Sequence, residues 1–335
     1  MRSALAALTA AVLTTPLLAG CGVGDDGPFI TVYNAQHEEL LEAVAPIFEE
    51  ETGIEVKLRS GKDLELANQI VQEGDASPAD VFLTENSPAM TMVANAGLFA
   101  PVATETLALI PEAYVPSDKT WLGFIARSTV LVYNTDAVSE ADLPESLMDL
   151  ATPEWAGRVG FSPTGADFQA IVSAVVATEG AGAAREWIET LAENGRVLEN
   201  NLVVMKAVND GEVDAGIIYH YYWYRDQAEA GENSGNARLH FFGNQDPGAF
   251  VSVSGAGVLA SSEKQDDAQE FVNFLAGETG QQAIADSYAL EYPLNPAVSL
   301  APPVKPFSEL DPPTLDISTL NSEVVIEMMQ DVGLL

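Results

Sequence analysis

Cysteine is nearly absent. Cys21 stands alone among 335 residues, so the chain closes no disulfide on itself and, past that position, offers a metal no thiolate. Histidine is scarce as well, with only His37, His220 and His240, which leaves zinc or copper poorly served. Basic residues number 14 against 50 acidic ones, for a formal net charge of −36. Phosphate recognition needs a basic footprint, so nucleic acid is excluded as a partner. The acids are scattered rather than clustered as a calcium site would require. That distribution suits a solvated surface, and its field raises the local cation concentration without selecting among cations. There is no internal repeat, no low-complexity tract and no nucleophile–base pair, so no enzyme is expected. After the first 20 residues, no segment has the length and apolarity of a membrane-spanning helix.

What is present begins with an address. Arg2 supplies a positive start, Ala4 to Leu18 is uncharged and mostly apolar, and Leu18-Ala19-Gly20-Cys21 follows. That order reads as a secretory signal over residues 1–20. The small residues before Cys21 resemble a bacterial lipobox, which implies cleavage there and lipidation of the thiol; an ordinary signal that happens to end at a cysteine is the alternative. Residues 21–28 then form a lipidated tether, and the body is expected outside the cytoplasm, held at a membrane surface by acyl chains. More than 300 residues remain, enough for a large core and two domains.

The body alternates strand and helix. Phe29 to Tyr33 reads as a strand. Glu38 to Glu51 places Leu40, Leu41, Val44, Ile47 and Phe48 at helical spacing, and Gly53 is its stop. Ile54, Val56 and Leu58 alternate with charged residues as a second strand, Leu64 to Gln72 is helical, and Val81 to Leu83 is a short buried strand. Ser87 is expected to cap the next helix, with Pro88 in its first position. Further helices are expected over Phe168 to Thr178, Ala183 to Ala192, Gln265 to Ala276, Gly280 to Ser287 and Ser322 to Val332. Two long β-rich runs, Trp121 to Tyr133 and Ala249 to Ala260, read as crossovers between an α/β lobe of residues 29–125 plus 250–295 and a second of 126–249 plus 296–335. Such a pair closes over a small ligand by hinge motion.

Open parallel sheets bind ligands beyond the carboxyl ends of their strands. Three polar stretches fall there: Asn34-Ala35-Gln36-His37, Thr84-Glu85-Asn86, and Tyr219-His220-Tyr221-Tyr222-Trp223-Tyr224. Tyr221 and Tyr222 stand out, because at a helix start consecutive side chains are only about 100° apart and can converge on one small ion. A free phenol has a pKa of about 10, so only a hard, highly charged cation ionises it near neutrality. Fe³⁺ with two phenolates, one carboxylate and a neutral imidazole is formally neutral and leaves octahedral positions for water or an anion. An aromatic cage for an organic cation such as a polyamine and a metalloenzyme with an open position are the competing readings.

Six segments, ITVYNAQHEE, SPADVFLTEN, ATPEWAGRVGFSPT, VDAGIIYHYYW, DPGAFVSVSGAGVL and EYPLNP, together resemble the ferric-ion-binding proteins of bacterial iron ABC importers, the bacterial transferrins. The likeness runs from about Ile30 to about Pro296. It implies an α/β type 2 periplasmic-binding fold with Fe³⁺ carried as cargo between the lobes. It also implies a monomer that serves an importer permease and its ATPase. The matching positions imply His37, Glu85, Tyr221 and Tyr222 as ligands. Relatives often add a synergistic anion, phosphate or carbonate, and Arg127, Thr164 and Asn201 match positions that can hold it. Two departures stand against the pattern: Asp167 in the anion loop would repel an anion unless it turns away, and Tyr219 takes a place often filled by Asn.

Overall fold

A computed structural model describes residues 27–320 and 322–335; the proposed signal segment and Cys21 lie outside the described residues. The chain opens with β1 (Phe29–Asn34), α1 (Glu38–Thr52), β2 (Glu55–Ser60), α2 (Asp63–Glu73), β3 (Val81–Leu83) and α3 (Ser87–Asn95), the expected βαβαβ order. β1 lies between β2 and β3 and runs parallel to both, pairing Ile30 with Val56 and Val32 with Val81. α1 forms because Leu40, Leu41, Val44 and Phe48 recur on the face that covers this sheet. It ends where Gly53, at φ 75°, takes the left-handed conformation and donates its N–H to Glu49 O. One detail differs from expectation. Asn86, not Ser87, precedes the first helical residue of α3, and Pro88 comes second in the helix.

The short α4 (Thr104–Leu107) leads to the long β4 (Leu122–Asn134), buried along its whole length. Next come β5 (Val159–Phe161), α5 (Ala166–Glu179), α6 (Ala181–Asn194), β6 (Arg196–Val197), α7 (Asn201–Asn209), β7 (Ala215–Tyr219) and α8 (His220–Glu229). β8 (Ala237–His240), β9 (Val251–Val258), α9 (Gln265–Ala276), α10 (Glu278–Ala285), β10 (Tyr292–Pro293) and α11 (Ser322–Asp331) complete the described helices and strands, apart from short 3₁₀ turns. No helix among the described residues is long and apolar enough to cross a membrane.

The strands run in the order β2-β1-β3-β9-β4-β7-β5-β6, with β8 and β10 also paired to β4. β4 changes partner part-way. Leu122 to Ser128 pair with β9, whereas Thr129 to Tyr133 pair with β7. Apolar side chains follow this division into two main cores. One gathers around β1, β3 and β9 with α1, α2, α3 and α9; the other around α5, α6 and β7. The change of partner falls three residues beyond the expected division of β4. The C-terminal stretch, expected wholly with the second lobe, is shared: Val304 and Ile317 pack in the first core, while Leu320, Val325, Met328 and Met329 pack in the second. That stretch has no helical or strand periodicity before α11, so nothing local announces which core its isolated apolar residues join.

Candidate metal centre

The carboxyl ends of β1, β3 and β7 deliver the three polar stretches to one place. His37 follows β1. Its Nε2 lies 3.3 Å from the Tyr221 hydroxyl and 3.6 Å from Glu85 Oε1. Tyr221 and Tyr222 are the second and third residues of α8, and their rings stack at 4.1 Å with 29° between planes. The adjacency expected at a helix start is thus present, and His37 neighbours both Glu85 and Tyr221. The Tyr222 hydroxyl donates to Asp167 Oδ2 at 3.1 Å. Among the described residues no three His, Cys, Asp or Glu side chains form a metal-holding group by themselves; the donors here are mixed, and the phenols carry the distinction.

Backbone and side-chain bonds hold each turn in place. Asn34 accepts the Gln36 N–H at 3.1 Å, and Gln36 Nε2 donates to Ser254 Oγ at 2.7 Å. Gln36 Oε1 accepts the His37 N–H at 2.6 Å. The Glu85 N–H donates to Asp63 Oδ1 at 2.8 Å and the Asn86 N–H to Asp63 Oδ2 at 2.9 Å. On the opposite side, the Glu85 carbonyl accepts from Arg127 and from Ser254 Oγ.

The positions matched to an anion look different in space. Asp167 turns inward, is buried, and accepts from Asn201 Nδ2 at 2.7 Å, Asn86 Nδ2 at 3.2 Å and Tyr222. Arg127 is fully buried, with Nε paired to Glu291 Oε2 at 2.7 Å and a second nitrogen donating to Ser254 Oγ at 2.9 Å. Thr164 is exposed. Asn201 and Arg127 therefore bond groups of the protein itself in this structure, Asn201 to Asp167 and Arg127 to Glu291 and Ser254. Tyr219 donates at 3.3 Å to Asn86 Oδ1 and to the Asp167 carbonyl, as a wall of the site. Tyr224 faces away, its hydroxyl accepting the Lys305 N–H at 3.2 Å.

Two histidines are committed elsewhere. His220 accepts the Ser128 N–H at Nδ1 (3.2 Å), places Nε2 3.1 Å from the Leu290 carbonyl and stacks on Tyr292 at 4.3 Å. Burial pushes its pKa down to about 3. His240 contacts the Pro144 carbonyl. Sequence reasoning did not single out Glu291, although an acid within the EYPLNP segment was a signal. Glu291 is fully buried, and its Oε1 lies 3.8 Å from His37 Nε2. Asp63 was missed as well, because its partners belong to a different turn.

Electrostatics favour the protonated site when it is empty. Burial pushes the Glu85 and Asp167 carboxyls up to about 7, and the Arg127 guanidinium offsets only part of the shift. The Tyr221 and Tyr222 phenols are held well above 10, first by burial and then by neighbouring negative groups. Burial lowers His37, which favours a neutral imidazole able to donate its lone pair. A cation bound here must displace protons, and only a strongly polarising one does so near neutrality.

A match to the bacterial extracellular solute-binding proteins spans residues 76–317, taking in Glu85, Asp167 and both tyrosines. The chain belongs to that family. Its resemblance to the ferric-ion-binding members of these solute-binding proteins is borne out. It is 52% identical over 306 residues to the Fe(3+)-binding periplasmic protein of Serratia marcescens, covering 91% of this chain and 90% of that one. It is 41% identical over 333 residues to the major ferric iron-binding protein of Neisseria meningitidis serogroup B, covering 98% of each. The crystal structure of iron-bound HitA from Pseudomonas aeruginosa matches with a TM-score of 0.85 at 45% identity, covering 92% of this chain and all of that one. The type 2 periplasmic-binding fold expected of such solute-binding proteins is the fold observed.

Proposed function

We propose that this protein captures ferric iron between its lobes, with His37, Glu85, Tyr221 and Tyr222 as ligands. The observation that carries this reading is the convergence of two adjacent phenols, an imidazole and a carboxylate from three strand ends, buried together so that the pKa of each is shifted toward its neutral form. Asp167 completes the donor set. Its carboxylate reaches Tyr222 and occupies the Asn201 and Asn86 donors, so phosphate or carbonate is not required as a partner ligand. The lobes hinge where β4 exchanges β9 for β7, between Ser128 and Thr129. The loaded protein, a monomer tethered through lipidated Cys21 outside the cytoplasm, delivers its iron to the permease and ATPase of an ABC importer. It is a carrier and not an enzyme.

A visible spectrum tests the site. Titration of the purified protein with a ferric salt should produce an orange to red phenolate-to-iron charge-transfer band. The band should reach the same intensity in buffer stripped of phosphate and carbonate as in buffer containing them. A colourless protein would point instead to an organic cation in an aromatic cage, and a band that forms only with added anion would remove Asp167 from the donor set.

A further inference from the structure

Asp63 is the first residue of α2 and is almost entirely buried. It makes no ion pair among the described residues. A lone carboxylate is an expensive way to fill such a position, since burying a charge without a paired cation costs stability. Its two oxygens are both spent on backbone: the N–H groups of Glu85 and Asn86, at 2.8 and 2.9 Å. The other end of the same residue is held as firmly. The Glu85 carbonyl accepts from the Arg127 guanidinium and from Ser254 Oγ at 3.2 Å. The Asp63 carboxyl thus grips the N–H of Glu85 while the Arg127 cation grips its C=O. The bond from the guanidinium, with its charged donor, is about twice as strong as a neutral one.

We infer that Asp63 is a positioning residue of the ferric site, which together with Arg127 and Ser254 clamps the Glu85 backbone so that its carboxylate meets the metal pre-aimed. This inference rests on the reading of Glu85 as a ligand. The clamp is assembled from α2, the β9-paired half of β4, and β9 itself, all on the side of the first core. Its three members thus come from elements of one core, and none of them is drawn from α8, which carries Tyr221 and Tyr222. With the backbone fixed, only side-chain torsions remain for Glu85 to lose on binding, which is what a preorganised ligand requires.

The experiment is a double-mutant cycle read as the rate of Fe³⁺ release to excess EDTA, monitored by loss of the charge-transfer band. Thermal melts of each apoprotein confirm folding. Asp63→Asn keeps size and shape but points a donor at a donor. It should speed release about tenfold, the scale of one charge-assisted hydrogen bond. Glu85→Ala should speed release at least about a hundredfold, as loss of a charged metal ligand. The double variant should release iron within about twofold of Glu85→Ala alone, because residues that act through one another are not additive. Ser254→Ala, a small deletion on the carbonyl side, should show the same cancellation with a smaller single effect, and it serves if Asp63→Asn does not fold. Wild-type release from both Asp63→Asn and Ser254→Ala, or a double variant showing the full product of the two single effects, would overturn the clamp. Wild-type release from Glu85→Ala would instead remove Glu85 from the ligand set, which is a failure of the function reading and is recognisable as such.

Discussion

At the scale of single residues, the chemistry is a contest between protons and metal. Tyr221 and Tyr222 hold their protons more tightly than free phenols because burial and nearby carboxyls oppose a second negative charge. As the proposed ligands, each has to lose that proton to bind Fe³⁺, so on that assignment uptake should release about two protons per iron at any pH below 10. Glu85 and Asp167, both pushed up to about 7, add to this once the pH falls beneath that value. All of these groups bind more protons in the empty site than in the loaded one, so affinity must fall as pH falls. The plot of log affinity against pH should therefore have a slope of about two above neutrality, steepening toward about four near pH 5.5. Tyr221→Phe and Tyr222→Phe should each remove about one proton from that slope, weaken the charge-transfer band and lower affinity. Tyr224→Phe, whose hydroxyl bonds Lys305 instead, should match wild type. Ferric titrations of these variants across pH 5 to 9 provide the check, and a slope near zero in the wild type would contradict phenolate ligation.

Secondary-structure elements determine which residues reach that contest and which do not. His220 illustrates the distinction. It sits next to Tyr221 in sequence, yet the first turn of α8 swings its ring to the side of β4 and Leu290, away from His37. There it joins the second lobe to Tyr292 of the first. His220→Phe should keep the stacking and lose both polar contacts, leaving a buried N–H and a buried carbonyl unpaired. The expected cost is about 2–4 kcal/mol, measured by denaturant unfolding, with the position of the charge-transfer band unchanged. A shifted band in a folded His220→Phe protein would make the ring part of the metal shell. The same element shows how far the sequence could be read. The strand-end rule and the 100° step of a helix start, both local arguments, pointed to the three polar stretches and to the Tyr221–Tyr222 pair, and the family resemblance implied the four ligands among them. Ser87 was misread as a cap because its neighbour Asn86 takes the extended conformation ahead of the helix. The inward turn of Asp167, the pairing of Arg127 with Glu291, and the grip of Asp63 on Glu85 all join residues from separate elements. No periodicity encodes such contacts; they exist only once the strands are ordered.

At the scale of the whole molecule, the iron site and the membrane address belong to separate parts of the chain. The body begins at its sheet: the Pro28 carbonyl accepts the Glu55 N–H at 2.9 Å, and β1 starts one residue later. All the proposed ligands lie beyond the strand ends, in turns or in the first turn of the helix that follows, at His37 and later. The stretch between Cys21 and Pro28 spans at most about 25 Å when extended, at up to 3.6 Å per residue. An acylated Cys21 would therefore keep the body close to the membrane without touching the cleft. One acyl chain gives only marginal, reversible membrane binding, whereas stable anchoring takes two signals; a net charge of −36 also repels an anionic lipid surface and opposes adsorption by the body itself. On the proposed reading, the acyl groups at Cys21 and not the body hold the protein at the membrane. Cys21→Ser should move the protein from the membrane fraction to the soluble fraction, or leave it as an unprocessed precursor. The soluble body should keep the wild-type ferric titration, colour and proton slope. Fractionation of cells with mass measurement of the mature chain, followed by ferric titration of the purified material, decides the matter. Unchanged membrane partitioning at unchanged mass would show that something other than a lipidated thiol holds the protein there. An altered titration would show that the tether reaches the site after all.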